Sequence, residues 1–255
     1  MFLHEATYDL DELTNYNLHM HTHYSRCGKP EMTVENIIAE AERCGIKEIS
    51  LNDHLVFPEE CKELFAHNEI LRKEVEETGT KIKVYIGGEF SLYDVDKYTL
   101  KGMDEYKPDY RLYAENHYHI ESFTAPEEKT PEAFKNHMIK KLTYIFNEKA
   151  ADCIAHPIYG KYSAELVEGK FKDCVEAIGE AWSDNELGDI MQLGYESGCA
   201  WELNRGAIFL DPKFFRRMFN IGREIGVVFN YGTDAHTLDC VDPKLHLDEL
   251  KKILL

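Results

Sequence analysis

Short apolar runs alternate with longer amphipathic stretches along this chain, and that alternation constrains the fold more than any other feature. The runs fall at 17–21, 47–51, 82–86, 110–115, 151–155, 199–203 and 226–231. Apolar runs of this length with β-branched residues predict strands. The stretches between them predict helices at 33–44, about 59–78, 131–149, 163–182, 184–197 and 211–224. In the first of these, Thr33 stands where an N-cap belongs, Ile37, Ile38 and Ala41 recur on one face, and Gly45 suits the position just past the end. The connection 89–109 reads as largely loop. Alternation repeated this often predicts a parallel sheet with helical crossovers. Seven strands in a chain of 255 residues fit a closed or nearly closed barrel better than an open sheet. An open nucleotide-binding sheet carries a glycine-rich turn after its first strand. Here that turn reads His21-Thr22-His23-Tyr24-Ser25.

Composition narrows the setting. There is no run of about 18 apolar residues, so no membrane-spanning helix is expected. The first residues carry no basic segment followed by an apolar one, so no signal peptide is expected. The 7 cysteines are odd in number, scattered, and free of CxxC pairs. That pattern fits reduced thiols and a cytoplasmic setting better than a disulfide framework. A formal net charge of −18 repels phosphate backbones, so a nucleic-acid groove is not expected. It does not argue against a small anionic substrate, because bound cations reverse the local field.

The chemistry gathers at the strand ends. His19 and His21 lie two apart in the first strand, so both point to one face with Cβ atoms about 6 to 7 Å apart. Two imidazoles converging from one strand make half of a metal site. The second strand runs into Asp53-His54, the third into Glu89, the fourth into His117, the fifth into His156, the sixth into Glu202-Leu203-Asn204, and the seventh into Asp234-Ala235-His236. In an α/β barrel these ends share the face on which the active site lies. Ser, Thr and Lys would mix freely into surface positions of this kind, whereas almost every end here carries an N or O metal ligand.

At these residues the chain resembles the polymerase-and-histidinol-phosphatase (PHP) superfamily. The family's first motif is close to (D)xHxHTxxS, and here it reads Asn17-Leu18-His19-Met20-His21-Thr22-His23-Tyr24-Ser25. Its later motifs have counterparts in Asn52-Asp53-His54, Gly88-Glu89, His156-Pro157, Glu202-Leu203-Asn204 and Thr233-Asp234-Ala235-His236, in the same order. The resemblance implies a distorted seven-stranded TIM-like (β/α)7 barrel over 1–255, with two or three divalent ions of zinc, iron or manganese. Carried over by position, one ion is held by His19, His21, Glu89 and Asp234. Glu89 bridges to a second ion on His117 and His156, and a third sits on His54 and His236.

Two positions depart from the pattern. Asn17 replaces the usual Asp, in a place expected outside the ligand set. Cys27 stands where trinuclear phosphatase members usually have a His, eight residues after His19. It reads either as a thiolate ligand, which suits zinc or iron, or as a small buried thiol in a loop. His117 is favoured over His119 as ligand, and His23 is left as a bystander. Asp53 is expected to orient a neighbouring His, and Glu202 and Asn204 to support the ligands from behind. His4, His67, His137 and His246 lie outside the motifs and read as surface histidines.

The resemblance implies a metal-dependent phosphoesterase acting on a small phosphomonoester such as histidinol phosphate. Glu89, Asp234 and His236 are its expected catalytic groups. Arg205, with Arg26 second, is the expected grip on phosphate. The other classes weighed are a C–N hydrolase of the amidohydrolase type, a phosphodiesterase or nuclease acting on short nucleotides, and a non-catalytic metal-binding regulator. An amidohydrolase commonly carries a lysine at the end of a middle strand, where this chain has Glu89 or His117.

Overall fold

The computed structural model describes residues 2–255. Seven parallel staves form a closed barrel. The first is β1 (Tyr16–Met20). The second is a broken strand, β2 (Glu48–Leu51) followed by β3 (His54–Leu55). The third is broken in the same way, into β4 (Lys83–Ile86) and β5 (Gly88–Asp94), and β5 turns back into the short strand β6 (Lys97–Tyr98). The remaining staves are β7 (Arg111–Ala114), β8 (Cys153–Ile154), β9 (Ala200–Asn204) and β10 (Phe229–Gly232).

Register runs without reversal around the ring. β1 pairs with β2, β2 with β4, β3 with β5, β5 with β7, β7 with β8, β8 with β9 and β9 with β10, all parallel. Hydrogen bonds continue through the two breaks: Gly87 N donates to Leu51 O at 2.9 Å and Glu89 N to Asp53 O at 3.0 Å. Closure occurs just beyond β10. Met20 bridges Ala235, Asp234 N donates to His19 O at 2.9 Å, and His21 N donates to Ala235 O at 2.9 Å. The bonds that close the barrel therefore run through the two HxH histidines and the Asp234-Ala235-His236 motif.

The helices are α1 (Leu10–Leu13), α2 (Val34–Arg43), α3 (Cys61–Thr78), α4 (Pro131–Glu148), α5 (Lys161–Ala164), α6 (Phe171–Glu180), α7 (Asp184–Ser197), α8 (Arg205–Leu210), α9 (Pro212–Ile225) and α10 (Leu247–Leu254). Their ends follow local chemistry. Thr33 caps α2 through Asn36 N, and Ser183 with Glu186 forms a capping box on α7. α9 turns Phe214, Phe215, Met218, Phe219 and Gly222 inward. Burial of each large apolar side chain there contributes about 1.5–3 kcal/mol. Gly222 is required at that contact, since a Cβ would lie 2.4 Å from the Phe229 ring.

Two expectations change. The helix expected over 163–182 is two helices, α5 and α6, separated by a segment in which Gly169 takes φ +143°. Ala164, Cys174, Val175 and Ile178 still share one small apolar cluster, which is why the periodicity looked continuous. The 89–109 connection is loop and turn beyond Tyr98, but it opens on strand, because β5 extends to Asp94 and forms a hairpin with β6. No helix is long and apolar enough to cross a membrane among the described residues. All 7 cysteines are unpaired.

Candidate metal centre

Glu89 is the hub of the site. It is the second residue of β5 and is buried. Its Oε2 lies 3.3 Å from His19 Nε2, 3.4 Å from His21 Nε2 and 3.1 Å from His54 Nδ1. Its Oε1 lies 3.3 Å from His117 Nε2 and 3.0 Å from His156 Nε2. One carboxylate thus divides five imidazoles between its two oxygens. Asp234 Oδ1 closes the first half, 2.9 Å from His21 Nε2 and 3.4 Å from His19 Nε2.

The backbone is bent to make this convergence. His156 and Asp234 take φ of 30° and 55°, in the left-handed region. Such conformations cost energy for non-glycine residues and persist where surrounding contacts fix them. Asp234 is fixed by its N–H bond to His19 O. His156 is fixed by its N–H bond to the Glu202 carboxylate. Asn116 Nδ2 also donates to His156 O at 2.9 Å.

The groups behind the cluster set the tautomers. Glu202 Oε1 lies 2.8 Å from His19 Nδ1. A carboxylate only accepts, so that nitrogen carries a proton and Nε2 is the atom presented toward Glu89. The Asp234 carbonyl plays the same part for His236, 2.7 Å from its Nδ1. Glu202 can approach because position 232 is glycine: a Cβ there would lie 1.9 Å from Glu202 Oε1. Asn204 Nδ2 donates to Glu202 Oε2 at 3.4 Å, and Asn204 Oδ1 caps α8. Asp53 does not hold a histidine. It accepts from Thr22 N at 2.7 Å and Thr22 Oγ1 at 2.6 Å, and so pins the loop after His21. Asn17 ties β1 to the last stave through Thr233 and to Val241 O.

The electrostatics call for positive charge. Burial disfavours the charged form of His19, yet Glu202, Asp234 and Glu89 together raise its pKa well above the ordinary value. Burial likewise opposes a charged His156, and Glu89 reverses the balance upward. Glu89 stays ionised despite burial because the charged His19 faces it and His117 and His156 hydrogen-bond its carboxylate. Burial drives His54 down to about 3, so it is a neutral base with a free lone pair. Nδ1 of His21, His117 and His156 is buried without a hydrogen-bond partner among the described residues. Imidazoles this crowded around two carboxylates are the donor set of a divalent-cation site. Three groups bring their ligand atoms within 4.8 Å of one another: His19, His21, Glu89 and Asp234; Glu89, His117 and His156; and His21, Cys27, His54 and His236.

Other expected residues lie elsewhere. Arg205 is a correction. It is buried, and its guanidinium donates to Asp242 O at 2.8 Å and Cys240 O at 3.1 Å, pinning the segment after His236 instead of facing a substrate. Arg26 is exposed and paired with Glu60, beside a cleft lined by His54. His23 leaves the cluster, packs at a tilt against Tyr24 and lines a groove between α2 and α3. His4, His67 and His137 are half-buried, not free surface groups: His4 meets Glu48, His67 stacks on Tyr24, and His137 meets the Tyr118 hydroxyl.

The sequence reading missed the wall carried by the segment after His156 that runs into α5. Tyr159 lies 5.8 Å from the His156 ring, and Tyr162 lies 5.7 Å from His117 and 3.9 Å from His119. Lys161 Nζ sits 5.0 Å from the Tyr162 ring centre. Burial pushes the Tyr159 phenol up to about 12, so it keeps its proton and donates. It missed as well the buried Glu115, pushed up to about 7 by burial, whose Oε1 accepts from Ile158 N at 2.7 Å.

The sequence model of the PHP domain family matches residues 17–188. This chain belongs to the PHP family. The match covers the first five staves, and the last two complete the barrel in the structure. Sequence comparison with curated proteins finds no match. Among solved structures, this PHP chain is similar to histidinol phosphate phosphatase from Lactococcus lactis subsp. lactis, determined with zinc, L-histidinol and phosphate. The TM-score is 0.60 at 18% identity, covering 93% of each chain. It is also similar to a putative histidinol phosphatase from Listeria monocytogenes, with a TM-score of 0.62 at 14% identity, covering 88% of this chain and 96% of the other. At these identities the likeness establishes the seven-staved PHP fold.

Proposed function

We propose that this PHP chain is a metal-dependent phosphoesterase that hydrolyses a small phosphomonoester, histidinol phosphate or a close analogue. The observation that carries the reading is the Glu89 carboxylate, with imidazole nitrogens of His19, His21 and His54 around one oxygen and those of His117 and His156 around the other. A carboxylate so placed bridges two cations. In this reading His19, His21, Glu89 and Asp234 would hold one ion, Glu89, His117 and His156 a second, and His54 and His236 would contribute to a third. Divalent ions at such a centre activate water near neutral pH and offset phosphoryl charge.

The chain's own residues supply binding and orientation. Glu202 holds the His19 ring, and Asp234 O holds the His236 ring, so that their Nε2 atoms stay aimed. Lys161 offers an ammonium to the phosphoryl oxygens, and the protonated Tyr159 and Tyr162 hydroxyls offer neutral donors. The Tyr162 and His119 rings, 3.9 Å apart, offer aromatic surface beside His117 for a planar leaving group. The zinc, L-histidinol and phosphate in the Lactococcus structure support the choice of substrate.

The test is phosphate release by purified protein loaded in turn with zinc, manganese and ferrous iron. Release from histidinol phosphate is the expected result. Silence on that compound with turnover of other phosphomonoesters would remove the named substrate. Silence of the folded, metal-loaded protein across the whole panel would overturn the phosphoesterase reading.

A further inference from the structure

We infer that Cys27 is a thiolate ligand of a third, chemically softer metal position, completed by His54 and His236. The inference rests on the proposed metal centre and concerns its composition.

Cys27 reaches the cluster through contacts distant in sequence. Lys29 N donates to His236 O at 3.1 Å, tying the Cys27 loop to the last motif. Within the loop, Ser25 N donates to Thr22 O and Gly28 N to Ser25 O, both at 3.1 Å. Gly28 packs so tightly that a Cβ would fall 2.0 Å from Thr22 O. The sulfur is therefore carried by a compact, internally bonded turn. Its ligand atom lies within 4.8 Å of those of His21, His54 and His236.

The four residues sort themselves by the company they keep. His21 belongs to two groups, but its Nε2 lies 2.9 Å from Asp234 Oδ1, beside His19. That nitrogen is committed to the first ion. The His21 ring then stacks between its neighbours, 4.5 Å from His54 and 4.4 Å from His236. Its other nitrogen, Nδ1, is buried without a partner among the described residues, beside the same group. His54 has Nδ1 turned to Glu89 Oε2 at 3.1 Å and His236 has Nδ1 turned to Asp234 O at 2.7 Å, leaving Nε2 of each ring to ligate. Two imidazoles alone fall short of the three protein ligands usual at a catalytic zinc. Cys27 Sγ supplies the third. The result is a position held by one thiolate and two imidazoles, with room for a water or a substrate oxygen, next to an all-N/O pair bridged by Glu89. Thiolate favours zinc or iron over manganese or magnesium, so one centre would combine positions of unlike preference.

Cobalt substitution reads this directly. Protein stripped with chelator and reloaded with cobaltous ion should take up three equivalents and show a thiolate-to-cobalt charge-transfer band in the near ultraviolet. Cys27→Ser should lose the band and one equivalent of cobalt. Cys27→His should keep three equivalents without the band, and it guards against a serine variant that fails to fold. Three equivalents with no band, or a band that survives in both variants, overturns the inference and leaves the metal centre standing. Failure of folded wild-type protein to take up any cobalt overturns the metal centre as well.

Discussion

Glu202 holds His19 by Nδ1 at 2.8 Å, and this one contact turns the opposite nitrogen of the ring toward Glu89. The same carboxylate receives the N–H of His156 through its other oxygen. A single buried acid therefore sets ligands on both sides of the Glu89 bridge. Replacing Glu202 by Gln removes its charge and places an amide donor opposite one of the two N–H groups. Carboxylates that orient metal-bound histidines are commonly worth about 10–100-fold in metal affinity. Glu202→Gln is expected to lower affinity within that range while circular dichroism stays unchanged. Chelator competition measures it, and unchanged affinity would mean that the His19 tautomer is held by something else.

Lys161 is the cation that this reading places against a phosphate. It opens α5 beside Tyr162, two residues after Tyr159, and its ammonium sits 5.0 Å from the Tyr162 ring centre. Hydrogen bonds to charged groups are worth about 1.5–3 kcal/mol, or roughly 10- to 100-fold. Lys161→Met is expected to raise KM by that factor with a smaller change in kcat and no change in metal content. A KM that does not move would make the side chain a solvated charge.

Much of the barrel was legible because strand periodicity and ligand chemistry coincide. His19 and Glu89 are buried on strands, and each carries a donor where a purely structural strand would carry an aliphatic residue. The break between α5 and α6 was not legible, since the apolar spacing of Ala164, Cys174, Val175 and Ile178 continues across it and only the backbone at Gly169 reveals it. The Tyr159–Tyr162 wall was hidden for another reason. Its position depends on the left-handed turns at His156 and Ile158, and no local pattern announces them.

Arg205 shows the limit of reading strand ends. It follows Glu202-Leu203-Asn204 as a phosphate-binding residue would, yet Asn204 caps α8 and the arginine goes to two carbonyls of the segment 240–242. Arg205→Met leaves those carbonyls without their donors. Each buried unsatisfied acceptor costs about 1–3 kcal/mol. A loss on the order of 2 kcal/mol is expected in urea unfolding, with KM for substrate little altered. A large rise in KM at unchanged stability would return Arg205 to the substrate.

Lys141 gives the fold a pH dependence of its own. The side chain is fully buried on α4, donates to Leu92 O and Glu115 O at 3.0 Å each, and lies 4.7 Å from the Tyr118 ring centre. Burial brings its pKa down to about 8, against the upward pull of Glu115 and Asp94. In the unfolded chain the amine returns to its ordinary value near 10.5. Between those values the unfolded state holds a proton that the folded state has released, so stability rises with pH across that window. Below about 8 the cost of the buried charge is present in full. The shift corresponds to something on the order of 3 kcal/mol across the window. Lys141→Met carries no such charge, so the difference in unfolding free energy between wild type and variant should move in favour of wild type from about pH 8 to about pH 10. Taking the difference cancels titrations common to both proteins, including the buried thiols and phenols. Urea titrations at a series of pH values read the slope. A difference that stays flat, or falls, would mean that the two carbonyls and the Tyr118 ring keep the buried ammonium charged throughout.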